Sequence, residues 1–72
     1  MKKTYKIDVD CANCAAKMER SIEKIAGVTS ISISFLTQKF KIEADDDRFN
    51  EIMLEAAKVC KKIERGCVIY ME

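Results

Sequence analysis

The chain has 72 residues, with 13 basic and 12 acidic side chains, four cysteines, no histidine and no proline. That length allows one small domain around one core, and a net charge of +1 with the signs well mixed gives no footing for a nucleic-acid or membrane-surface partner. No apolar run approaches the roughly 18–20 residues of a membrane span, so no direct membrane insertion is expected, and Met1-Lys2-Lys3 leads into polar Thr4 and Lys6 rather than the apolar block of a signal peptide.

Residues 3–9 read as a strand, because Tyr5, Ile7 and Val9 alternate with Thr4, Lys6 and Asp8. Asp10 to Asn13 is a loop. A helix is predicted from about Ala12 to Ala26: Cys14, Met18, Ile22 and Ile25 follow helical steps, while Lys17, Arg20, Glu23 and Lys24 fall on the wet side. Gly27 is expected to end it, since glycine enters a left-handed cap cheaply. Residues 28–35 alternate again, with Ile31, Ile33 and Phe35 inward. Leu36-Thr37-Gln38 turns the chain without the Gly or Asn usual in a hairpin, and Lys39–Ala44 returns with Phe40 and Ile42 inward. Asp45-Asp46-Asp47 opens a second helix, with one acid expected as its N-cap. Phe49, Ile52, Met53, Ala56, Cys60 and Ile63 form its apolar face, and Gly66 stops it. Cys67 to Met71 is a final strand, facing inward through either Cys67, Ile69 and Met71 or Val68 and Tyr70.

The order βαββαβ predicts an α+β, ferredoxin-like fold, two helices on one face of a four-stranded antiparallel sheet, as a single domain over 1–72. Tyr5, Ile25, Phe35 and Ile63 are counted in the core, which is expected to fold without metal.

The chemistry concentrates in Asp10-Cys11-Ala12-Asn13-Cys14. Two thiols separated by two residues can face one centre when the second lies in the first helical turn. The free N–H groups and dipole of that turn favour thiolates, and thiolates bind soft metals. Without histidine, any further ligand must be carboxylate or backbone oxygen, and Asp10 stands beside the pair. Four cysteines without a secretion signal suggest a reducing, cytoplasmic setting, in which close thiols are metal-binding or redox-active rather than structural disulfides. Cys60 reads as a buried, inert thiol and Cys67 as a strand residue, with a role as third sulfur left open. Met18 and Met53 read as core. Lys17, Arg20 and Lys24 read as a solvated face.

Cys11-Ala12-Asn13-Cys14 between strand and helix, Gly27-Val28 at the helix exit and the element order resemble the heavy-metal-associated domain, the metal-binding module of copper chaperones and of heavy-metal P-type ATPases. The family's common motif is Gly-Met-x-Cys-x-x-Cys; here Asp8-Val9-Asp10 precedes Cys11, and Val9 can take over the packing of the methionine. Asp10 resembles the acid of the zinc/cadmium/lead subgroup. Asp46-Asp47-Arg48-Phe49 and Lys61-Lys62-Ile63-Glu64 resemble cadmium-type amino-terminal domains, and helix 2 looks longer than in the short copper chaperones. The resemblance implies metal ligation by Cys11, Cys14 and Asp10. It also implies a cytosolic, monomeric domain that is no enzyme by itself. Its partners would be the metal ion and either other domains of a membrane ATPase or a metal donor or acceptor protein.

Ligand chemistry agrees. Cu(I) is content with two thiolates and gains little from a hard carboxylate, whereas Zn(II), Cd(II) or Pb(II) with two thiolates and Asp10 keeps a single net negative charge. A free-standing, copper-chaperone-like carrier of Cu(I) is the alternative. A thiol–disulfide oxidoreductase fits the Cys-x-x-Cys spacing, but the thioredoxin-like pattern includes prolines that this chain lacks. A structural zinc site would need all four cysteines, and its apo form would unfold. An RNA-binding βαββαβ domain would need stacking aromatics on the open sheet face, where the sequence places Thr4, Lys6, Ser32, Lys39 and Lys41.

Overall fold

Apolar alternation in four short segments decides the sheet. In the computed structural model, which describes residues 1–70, these segments are β1 (Lys2–Asp8), β2 (Val28–Ser34), β3 (Lys39–Ala44) and β4 (Val68–Tyr70). They pair antiparallel in the order β2-β3-β1-β4. The register sets Tyr5 against Phe40, Ile33 against Phe40 and Ile7 against Ile69, so every pair keeps its apolar side chains on one face. A register shift between Val28 and Ser30 marks an irregularity where β2 begins. Helices α1 (Ala12–Glu23) and α2 (Phe49–Ile63) pack on each other and cover the apolar face. Ile7, Met18, Ile22, Phe40, Ile42 and Ile52 fill the space between the layers, and Tyr5 lies tilted against Phe40 with ring centroids 6.3 Å apart.

The expected fold is the observed one, with local differences. Helix α1 stops at Glu23, three residues before Ala26. The chain then tightens into successive turns, with Ile25 N–H donating to Ile22 O at 2.9 Å and Val28 N–H to Ile25 O at 3.1 Å. Gly27 therefore serves the entry to β2 rather than the helix end. Its φ is +95°, and an added Cβ would come within 2.8 Å of Ile52 Cδ1. The acids 45–47 do not cap α2: Asp46–Arg48 is a 3-10 turn, without a side-chain capping hydrogen bond, that leads into Phe49. Phe35 is not core; it sits beyond the end of β2 and is 36% exposed. Tyr5, Ile25 and Ile63 are half-buried against the core rather than within it. Cys67 and Ile69 face inward while Val68 and Tyr70 are exposed, which decides the orientation of β4. Met71 lies outside the described residues.

β2 is an edge strand. Glu19 of α1 reaches over to accept the N–H of Ile33 at 2.9 Å, satisfying one edge donor that would otherwise invite another strand.

Candidate metal centre

Strand β1 ends at Asp8, and Val9 then dives into the core with 3% of its surface exposed. The peptide on either side of Val9 has no strand partner of its own. Gln38 supplies one: its Oε1 accepts from Val9 N–H at 2.8 Å, and its Nε2 donates to Val9 O at 3.0 Å and to Phe35 O at 2.6 Å. Its backbone carbonyl accepts from Ile7 N–H at 3.1 Å. One side-chain amide thus prolongs the ladder past its last residue and fixes where the cysteine loop departs. Gln38 does so from a left-handed backbone, φ +55°, the conformation for which the turn's missing Gly or Asn would be expected. Reading the sequence did not single out Gln38 as part of the site. The anomalous turn composition was the one available signal.

After exposed Asp10, the backbone at Cys11 is extended (φ −135°, ψ 122°), and Ala12 starts α1. Cys11 is the N-cap of α1, with Sγ accepting from Cys14 N–H at 3.2 Å. A thiolate here occupies the position in which Ser or Asp ordinarily caps a helix, facing orphan N–H groups and the positive end of the dipole. Ala15 N–H donates to Cys11 O at 3.0 Å, closing the first turn and bringing Cys14 round toward Cys11. Both cysteines are half-buried and free.

The two thiols are not equivalent. Hydrogen bonding from the Cys14 side chain, then from the Cys14 backbone, holds Cys11 below the usual thiol value. The same thiol–thiol bond, with some burial, pushes Cys14 up, and Lys17 opposes that rise weakly. The expectation that the helix start would lower both thiols therefore holds for Cys11 alone, and Cys11 gives up its proton before Cys14 does.

Asp10 stands apart from this pair. It is exposed, and among the described residues no three Cys, Asp or Glu side chains converge as a ready metal cage. The preformed element is thus the thiol pair. Cys60 and Cys67 are each 1% exposed and lie together under the turn between α2 and β4. Burial raises both, Cys60 to about 12, so they meet the solvent side as core thiols rather than ligands.

The family profile of the heavy-metal-associated domain matches residues 4–66. The zinc/cadmium/lead-transporting P-type ATPase of Escherichia coli K12 is 41% identical over 39 residues, which are 54% of this chain and 5% of the ATPase. The chain thus spans about one-twentieth of that relative's length. Among solved structures, the apo amino-terminal domain of ZntA aligns with a TM-score of 0.72 and 27% identity, over 97% of this chain and 92% of that one. A CopZ metallochaperone aligns with a TM-score of 0.76 and 15% identity, over 97% of this chain and 100% of that one. Among the described residues, no helix is long and apolar enough to cross a membrane. With the profile matched across β1, the cysteine loop, both helices and the strands between them, the chain belongs to the heavy-metal-associated domain family, with relatives among the amino-terminal domains of P-type ATPases.

Proposed function

We propose that this chain, as one domain, captures Zn(II), Cd(II) or Pb(II) on Cys11 and Cys14, with Asp10 as third ligand. In this reading it is the cytosolic amino-terminal part of a heavy-metal-exporting P-type ATPase. The carrying observation is the thiol pair itself: one sulfur caps α1, and the second thiol is held toward it by the first helical turn. The metal is cargo. Its arrival displaces the thiol protons of Cys11 and Cys14, and Asp10, with no hydrogen bond among the described residues, is free to swing in without breaking anything. Two thiolates and one carboxylate leave a divalent ion an open position. An incoming thiolate of an acceptor domain can then bind before an outgoing one leaves. The Escherichia coli relative, a zinc/cadmium/lead-transporting ATPase, supports the choice of ion.

A second reading, a free-standing Cu(I) carrier, is favoured by one feature: two thiols converge while Asp10 stands outside, a donor set that suits near-linear Cu(I). Competitive titration of the reduced apo protein with Zn(II), Cd(II) and Cu(I), on wild type and Asp10→Ala, separates the two. The divalent reading expects Asp10→Ala to weaken Zn(II) by about tenfold or more, ~1.4 kcal/mol, with Cu(I) unchanged. If both ions ignore Asp10 and Cu(I) saturates the pair with far higher selectivity, the carrier reading replaces it.

A further inference from the structure

Only Asp10 separates Val9 from Cys11, and the Val9 peptide is held by a side chain rather than by a strand. The amide of Gln38 is used to capacity there. Its Oε1 accepts from Val9 N–H at 2.8 Å; one Nε2 hydrogen goes to Val9 O at 3.0 Å and the other to Phe35 O at 2.6 Å. Downstream, Cys11 O is held by Ala15 N–H at 3.0 Å. The loop therefore has two anchors, Gln38 before it and α1 after it. Asp10 between them is exposed and makes no hydrogen bond among the described residues. The backbone angles that aim the Cys11 side chain lie between these anchors. Releasing the Gln38 anchor turns both polar groups of the Val9 backbone toward water and lets Cys11 move with Asp10, while Cys14 stays fixed within α1.

We infer that Gln38 is a positioning residue of the metal centre: by holding the Val9 peptide it keeps the Cys11 thiol beside Cys14 before an ion arrives, and the affinity for that ion depends on its amide. The inference rests on Cys11 and Cys14 as the metal ligands and is independent of Asp10 and of which ion is bound. Gln38 does not touch the ion; it acts through Val9. A clamped loop is ordered when the protein folds. An unclamped loop must be ordered when the metal binds, and that cost is subtracted from the affinity. The position calls for one acceptor and two donors on a single side chain. A carboxylate of the same length keeps an acceptor for Val9 N–H but sets an oxygen against the carbonyls of Val9 and Phe35, with no hydrogen to offer either. A thioether of similar length supplies no donor at all.

The test is the affinity of the reduced whole chain for Zn(II) and for Cu(I), measured with competing chelators in wild type, Gln38→Met, Gln38→Glu and Met53→Ala. Met53 is buried on α2 beside Met1 and Tyr5, at the end of β1 away from the cysteine loop. Its truncation lowers stability through a core cavity and controls for loss of stability as such. Both ions are expected to bind about tenfold more weakly to Gln38→Met, the size that follows from ordering one residue's backbone at binding, and the Zn(II)-to-Cu(I) ratio should stay within twofold of wild type. Gln38→Glu should also bind both ions more weakly. Its added negative charge alone would draw cations in, so a fall there isolates the lost donors. Met53→Ala should bind like wild type. Affinities within twofold of wild type in Gln38→Met, a gain in Gln38→Glu, or an equal loss in Met53→Ala each overturns the inference while leaving the metal site in place. Failure of wild type to bind either ion at Cys11 and Cys14 overturns the ligand assignment itself, and shows before any variant is made.

Discussion

At the scale of single residues, the thiol–thiol hydrogen bond makes opposite predictions for the two cysteines. Removing the donor with Cys14→Ala takes away the largest stabiliser of the Cys11 thiolate, so alkylation of Cys11 by iodoacetamide near neutral pH should slow several-fold. Removing the acceptor with Cys11→Ala frees Cys14 from the interaction that holds its proton, so its alkylation should speed up. Two changes of the same sign would show that the two thiols do not bias each other's ionisation in opposite directions. Cys60 makes a different kind of prediction. Its thiol ionises near 9.0 when unfolded, but burial pushes it to about 12 in the folded protein. The folded state therefore keeps the proton longer: this contribution is fully present below pH 9 and is lost as pH rises toward 12. The loss amounts to at most about 1.4 kcal/mol per pH unit. Urea denaturation at stepped alkaline pH should show a steeper fall for wild type than for Cys60→Ala. The difference in slope, rather than the slope itself, isolates the contribution of Cys60 from every other effect of alkaline pH.

At the scale of elements, the turn between β2 and β3 does two tasks with one residue. A left-handed backbone at a non-glycine position costs about 1–2 kcal/mol, yet Gln38 accepts it because its side chain then meets Val9 and Phe35 with three hydrogen bonds. Gln38→Ala keeps the strain and loses the bonds, so about 2–3 kcal/mol of stability should go. Gln38→Gly loses the bonds but relieves the strain and should retain about 1 kcal/mol more than the alanine variant. In both variants the amides of residues 9–11 should exchange faster with solvent, while those of α2 change only with global stability. Equal destabilisation by Ala and Gly would mean that the backbone at Gln38 is not strained. Gly27 offers the converse case, a glycine that cannot be replaced. Gly27→Ala meets both a φ of +95° and Ile52 Cδ1 at 2.8 Å, and should cost about 1–3 kcal/mol, measured by thermal melting.

At the scale of the whole molecule, the parts legible in the sequence are those written in short-range periodicity. Alternation at Tyr5, Ile7 and Val9 and helical spacing at Cys14, Met18 and Ile22 were enough to place β1, α1 and the thiol loop, because each pattern repeats within a few residues. The errors fall where distant parts of the chain decide. Gln38 reaches Val9 across 29 positions, and Glu19 reaches Ile33 across 14; no local pattern announces either. Phe35 alternates as a core residue should, but the strand ends one residue before it. The same division of labour bears on what metal does for this protein. The apolar face of the sheet, α1 and α2 close on one another through Ile7, Met18, Phe40 and Ile52, with Cys14 alone of the loop thiols packed against their edge, and the two buried thiols contribute as apolar groups. Reduced protein stripped of metal should therefore keep its helical circular dichroism and unfold cooperatively. Adding Zn(II) at about 100 times its dissociation constant should stabilise it by ~2.7 kcal/mol through binding alone. Because the loop is pinned at Val9 by Gln38 and at Cys11 by α1, spectral changes on loading should stay within residues 9–15. A random-coil spectrum for the stripped protein would mean instead that the metal is part of the core, and that the thiols of all four cysteines must converge in a way the packing of Cys60 and Cys67 forbids.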